Sequence, residues 1–128
     1  MILLDTHVYL WLANGDSKLN QSSLRVLEND QNKFISIISL WEISLLLEKG
    51  RIKLNQTFEE WIRNSSIAFN IKIINPDSEI IYIYHKLGDF HSDPADKFIA
   101  DTSISKKIPL ITFDRKLIEY NGVETLNI

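Results

Sequence analysis

The sequence contains no cysteine, which excludes disulfide staples and thiolate metal sites and fits a reducing compartment. Proline and glycine are scarce, 3 and 4 in 128 residues, and no linker, internal repeat or low-complexity tract interrupts the chain. Positive charge is not in excess: 14 Lys and Arg against 17 Asp and Glu leave a net charge of −3. That balance gives no support to a broad basic nucleic-acid surface, and a polyanion would need a local basic patch or a bound cation. Long apolar runs are missing too. The most apolar stretch, Phe34 to Leu47, is broken by Glu42 and too short to span a bilayer. The start, Met1–Ile2–Leu3–Leu4–Asp5, lacks the basic region and apolar run of a signal peptide, so the expectation is a cytoplasmic protein with no membrane partner. No glycine-rich phosphate loop and no nucleophile-elbow serine is present.

What is there is ordinary globular composition, 45% hydrophobic and 24% charged, enough for one domain over residues 1–128 with a real core. Short apolar runs alternate with amphipathic segments. Ile2–Leu4, Phe34–Ile37, Ile71–Ile74 and Ile108–Thr112 read as strands, with a last one around Val123–Leu126. Between them lie helical patterns: Thr6 as a cap with a stop near Asn14–Gly15, a start at Ser17 or Ser22, and a capping box Ser39–Glu42 closing at Lys49–Gly50. A second capping box follows at Thr57–Glu60, then a helix opened by Pro76 and ended by Gly88, and a small helix over Arg115–Tyr120. The stretch His91–Lys97 starts a further helix, with Asp93 at the N-cap, Pro94 at the first helical position and Asp96 in the first turn. This alternation predicts an α/β fold: a mostly parallel sheet of four or five strands covered by helices on both faces. In such a sheet every strand-to-helix turn lies along one edge, where ligands bind.

Four acids fall on that edge. Asp5 follows the first strand, Glu42 sits in the first turn after the second, Asp96 opens the late helix and Asp114 follows the fourth strand. Each has a local explanation as a turn residue or helix cap. Together they pose an electrostatic problem. Two carboxylates ~5 Å apart repel by roughly 3 kcal/mol at an effective dielectric of ~20, whereas a helix N-terminus returns only about 0.3–1 kcal/mol per acid. Such a cluster needs a cation or must take up protons. Oxygen-only ligands suit Mg2+ or Mn2+, which activate water and hold phosphate oxygens, so the implied substrate is a phosphodiester. Lys97, Arg115 and Lys116 are nearby cations, and Thr6 and Thr112 stand beside cluster acids as hydrogen-bond partners or as plain caps and strand residues.

Four blocks of sequence resemble the PIN-domain ribonucleases, and within them the VapC-like toxins of toxin–antitoxin pairs. They are Leu3–Leu4–Asp5–Thr6–His7 with Trp11–Leu12; Ile38–Ser39–Leu40–Trp41–Glu42–Ile43 with Glu48–Lys49–Gly50–Arg51; His91–Ser92–Asp93–Pro94–Ala95–Asp96 with Ile99–Ala100; and Leu110–Ile111–Thr112–Phe113–Asp114–Arg115. The resemblance implies a three-layer α/β/α sandwich with strand order 3-2-1-4-5, which would centre Asp5. It implies metal-dependent endoribonuclease activity, with Asp5, Glu42, Asp96 and Asp114 as the catalytic, metal-binding acids. It also implies an RNA substrate, a cognate antitoxin and a homodimer. The sequence departs from close relatives at Ala95, where they often carry an aromatic, and at Lys97, where they often carry arginine. Asp101 is an additional acid beyond Asp96, either a solvated partner of Lys97 or a group supporting the metal-binding acids.

Other residues carry two readings. Asp93 is a cap before Pro94, or a group supporting the metal-binding acids from behind. His7, His85 and His91 lack a paired-ligand spacing, which speaks against zinc. Trp11, Trp41 and Trp61 fall on apolar faces and belong to the core, or one of them lines a groove for a partner helix with Ile43, Leu45 and Leu46. Lys49, Arg51 and Lys53 form a solvated helix end, or touch RNA phosphates. The alternative to a nuclease is a PIN-like module that binds RNA or protein without cleaving. A receiver-like phosphotransfer domain fits less well, because the third strand ends at Asn75–Pro76 with no acceptor aspartate at its tip.

Overall fold

A computed structural model describes residues 1–29, 32–88, 93–120 and 122–126. His91 and Ser92, within the third block, lie outside the described residues. Four parallel strands, β1 (Ile2–Leu4), β2 (Lys33–Ser36), β3 (Ile71–Ile74) and β4 (Leu110–Ile111), form a sheet in the order β3-β2-β1-β4. Leu3 pairs with Phe34 on one side and Leu110 on the other, so β1 is central. Seven helices are described: α1 (Thr6–Asn14), α2 (Gln21–Asn29), α3 (Ile37–Glu48), α4 (Phe58–Phe69), α5 (Ser78–Leu87), α6 (Pro94–Lys106) and α7 (Arg115–Ile118).

The two-residue period of a strand divides the core. Ile2 and Leu4 point into one apolar cluster with Val8, Leu27, Ile43 and Trp61, while Leu3 points into a second with Ile99, Ala100, Leu110 and Leu117. Each face of the sheet is thereby covered by helices, giving the three expected layers. Complete burial of a Leu or Ile such as Leu3 or Ile99 is worth roughly 1.5–3 kcal/mol, and these side chains are 0% exposed. Among the described residues no helix is long and apolar enough to cross a membrane.

Local chemistry moves several boundaries from their expected places. Asp5, not Thr6, caps α1, accepting from the Thr6 amide, and Gly15 closes that helix at φ 65°, a left-handed conformation that glycine adopts without a Cβ clash. Asn20, rather than Ser17 or Ser22, accepts from the Ser23 amide at the start of α2. Ser36 ends β2 and caps α3, so Ile37 is already helical and Glu42 lies in the second turn. The Ser39–Glu42 capping box does not form. Thr57 caps α4 as expected, accepting from Glu60, and Asp77 rather than Pro76 caps α5.

The fourth strand is shorter than its apolar run. Pro109 has no amide to donate, and the Ile108 amide turns back to Ser103 at the end of α6. Only Leu110 and Ile111 remain as strand. The expected fifth strand is reduced to a single parallel bridge between Leu110 and Thr125, and α7 ends at Ile118 rather than Tyr120.

Candidate active site

Asp5 leaves the tip of the central strand and is 5% exposed. Its Oδ1 accepts from the Thr6 amide at 2.8 Å and its Oδ2 from the Thr112 hydroxyl at 2.8 Å. Thr112 follows β4 and also accepts from the Asp114 amide at 3.0 Å, so one hydroxyl ties the acid of β1 to the acid after β4. Thr6 does the same work on the other side. Its hydroxyl donates to Glu42 Oε1 at 2.6 Å and lies 2.9 Å from the Ser39 hydroxyl, linking the first turn of α1 to α3.

Helix α6 packs against α3 and carries the remaining acids to the same place. Asp93 caps it, accepting from Ala95 at 2.9 Å, and Asp96 sits in the first turn. Carboxylate oxygens of Glu42, Asp93 and Asp96 all lie within 4.8 Å of one another. These three, with Asp5 and Asp114, line one cleft of about 360 Å³ at the carboxyl edge of the sheet. All four acids expected from the sequence therefore meet, and Asp93 joins them.

The charges press on one another. Burial, then repulsion from Asp5, Asp93, Glu42 and Asp114, pushes Asp96 up to about 8. Glu42 is pushed up to about 7 by burial, against the hydrogen bond from Thr6, with Asp93 and Asp5 adding repulsion. Burial also raises Asp5, opposed by the hydrogen bonds from Thr112 and Thr6. Without a cation the cluster keeps protons near neutrality. A divalent ion would replace them. The donors are all oxygens and only partly buried at Glu42, Asp93 and Asp96, a set that fits a hard, partly hydrated cation rather than zinc.

The PIN domain family model matches residues 2–123. The chain belongs to that family. Ribonuclease VapC22 of Mycobacterium tuberculosis (strain ATCC 25618 / H37Rv) is 27% identical over 117 residues, spanning 91% of this chain and 88% of that protein. Among solved structures, VapBC2 from Rickettsia felis bound to a DNA fragment from its promoter is similar at a TM-score of 0.72 and 20% identity, covering 99% of this chain and 98% of that one. A toxin–antitoxin complex from Klebsiella pneumoniae is similar at 0.68 and 21% identity, covering 98% and 97%. At these identities the structural likeness speaks for the fold alone.

In this PIN domain two expected residues stand elsewhere. Lys97 is 4% exposed and does not face a phosphate: its ammonium donates to the Tyr84 carbonyl and pairs with Asp101 at 3.1 Å. Asp101 is likewise fully buried rather than solvated, and Tyr120 donates to its other oxygen at 2.9 Å. Arg115 is exposed in the first turn of α7. Of the tryptophans, only Trp61 is fully buried; Trp41 is 53% exposed, because Leu40 and Ile43 take the inward face of α3. His85 lies in the last turn of α5. Sequence reasoning also missed an aromatic wall on the acidic cleft, made by His7, Trp11 and Phe113. The signal was available, since His7 and Phe113 each stand within two residues of a cluster acid.

Proposed function

We propose that this PIN domain is an endoribonuclease that uses Mg2+ or Mn2+ and serves as the toxin of a toxin–antitoxin pair. The observation that carries the reading is the convergence of acids from the tip of β1, from α3, from α6 and from the exit of β4 on one cleft. Glu42, Asp93 and Asp96 would hold the cation, with Asp5 and Asp114 completing the negative site. A bound divalent ion supplies neutralisation of the acids and of the phosphate, and activation of water. The chain itself orients the acids. Thr112 fixes Asp5, Thr6 fixes Glu42, and the start of α6 fixes Asp93 and Asp96.

The similarity to a toxin–antitoxin complex supports a small antitoxin as the protein partner, and the resemblance to VapC-like toxins supports a homodimer as the working form. Purified protein should cleave single-stranded RNA with magnesium or manganese and stop on chelation. Asp5→Asn and Asp96→Asn, each shown to be folded by circular dichroism, should lose at least about 10²-fold in rate, the scale of removing one preorganised electrostatic group. Cleavage that persists in both variants would assign the activity to a contaminant and leave a binding module.

A further inference from the structure

We infer that the aromatic wall of the acidic cleft is a base-stacking subsite, holding a nucleobase of single-stranded RNA beside the scissile phosphate. Phe113 is 45% exposed although it lies between Thr112 and Asp114, two residues fixed at the site. Its ring is 5.7 Å from Trp11, and Trp11 is 6.0 Å from His7, so three rings run along one side of the cleft. Trp11 is braced from behind by the apolar core. An exposed ring held on a rigid backing is the ordinary platform for an unstacked base.

Charge favours a nucleic acid over a protein side chain here. His7 and Trp11 are shared with an adjoining cleft of about 390 Å³, which carries Lys18 and Arg51 against the single acid Asp16. Lys18 also lies 5.6 Å from the Trp11 ring centre. Lys18 pairs with Asp16 at 3.6 Å, so a strand leaving the acidic cleft over Trp11 meets Arg51 as the cation suited to the next phosphate. The groove with apolar Trp41 and Leu45 shares His7 and Arg51 with these clefts but includes neither Trp11 nor Phe113.

The subsite rests on the nuclease reading for the position of the reacting phosphate, and its test separates the two. Binding of a short fluorescein-labelled single-stranded RNA of mixed sequence is measured on Asp96→Asn protein, with and without Phe113→Ala, Phe113→Leu or Phe113→Tyr. Cleavage of the same RNA is followed with Asp96 intact. Phe113→Ala and Phe113→Leu should weaken binding and raise KM by roughly fivefold to a hundredfold with kcat nearly kept, the range of one lost base–aromatic stack. Phe113→Tyr should restore both, and an all-abasic strand should bind equally well with and without the Phe113→Ala change. A fall in kcat alone would mean that Phe113 only places Asp114, and unchanged binding in Phe113→Ala would overturn the subsite while leaving cleavage intact. Base-dependent binding without cleavage in the protein that keeps Asp96 would instead remove the nuclease and keep the subsite. Normal RNA binding with lost inhibition by a cognate antitoxin would reassign the wall to the protein partner.

Discussion

Lys97 and Asp101 form a buried ion pair, 3.1 Å apart with side chains 5% and 0% exposed, one turn apart on the helix that carries Asp93 and Asp96. Lys97 lies 3.7 Å from the centre of the Tyr84 ring on α5, and Asp101 accepts from Tyr120 beyond α7. The pair therefore sets the placement of α6 against its neighbours. Breaking a buried pair on one side strands the other charge and costs about 3–5 kcal/mol. Lys97→Met and Asp101→Leu should each destabilise by that order in chemical unfolding, and the double variant by clearly less than their sum. Additive losses would show that the two charges are not coupled.

The acids of the cleft work against the stability of the metal-free fold. Asp96→Asn removes a carboxyl that burial and four neighbouring acids push up to about 8. In chelator it should raise the Tm by a few degrees, corresponding to on the order of 1 kcal/mol. The same variant should lose most of the Tm increase that magnesium gives the parent protein. A lower Tm in chelator would mean that Asp96 is held mainly by favourable contacts.

Much of this site was legible because it sits at strand exits. The short continuous apolar runs at Ile2–Leu4 and Ile108–Thr112 and the alternation with helices locate one edge, and Asp5, Asp96 and Asp114 fall on it by position alone. Glu42 reached the right cleft by a different route: it lies a turn deeper in α3 than a capping box requires and is held by Thr6 across 36 residues of sequence. The outward turn of Trp41 was hidden because α3, Ile37–Glu48, is apolar around most of its circumference and its periodicity does not mark an inner face. The burial of Lys97 was hidden as well. Only tertiary packing brings Tyr84 over it, and a lysine beside two acids otherwise reads as a surface cation.

Metal-free stability should fall as pH rises. Glu42 at about 7 and Asp96 at about 8 hold protons in the folded chain that the unfolded chain, with ordinary carboxyl values, has already released. Between about pH 5 and pH 8 the native state binds more protons, so unfolding becomes easier with each step upward. Melting in chelator should show this decline, and Asp96→Asn should flatten it. Magnesium should reverse the trend, stabilising more at pH 8 than at pH 6, because the ion competes with the same protons. A Tm in chelator that rises over this range would contradict the clustering of the acids.

Thr112 offers the sharpest test of how the site is held. Thr112→Val keeps the shape but removes the donor to Asp5 Oδ2 and the acceptor for the Asp114 amide. Leaving buried partners unmet costs about 1–3 kcal/mol, and losing an orienting group behind an acid of the proposed metal site should lower activity by about 10–100-fold. The hydrogen bond from Thr112 is also the largest influence holding Asp5 down against burial. Its removal should therefore move the acid limb of the kcat/KM profile toward higher pH, which mere loss of stability would not do. Thr112→Ser keeps the hydroxyl and should retain most of the rate and the parent pH profile. If valine and serine behave alike, the hydroxyl does not orient Asp5, and its position depends on the Thr6 amide and the end of β1 alone.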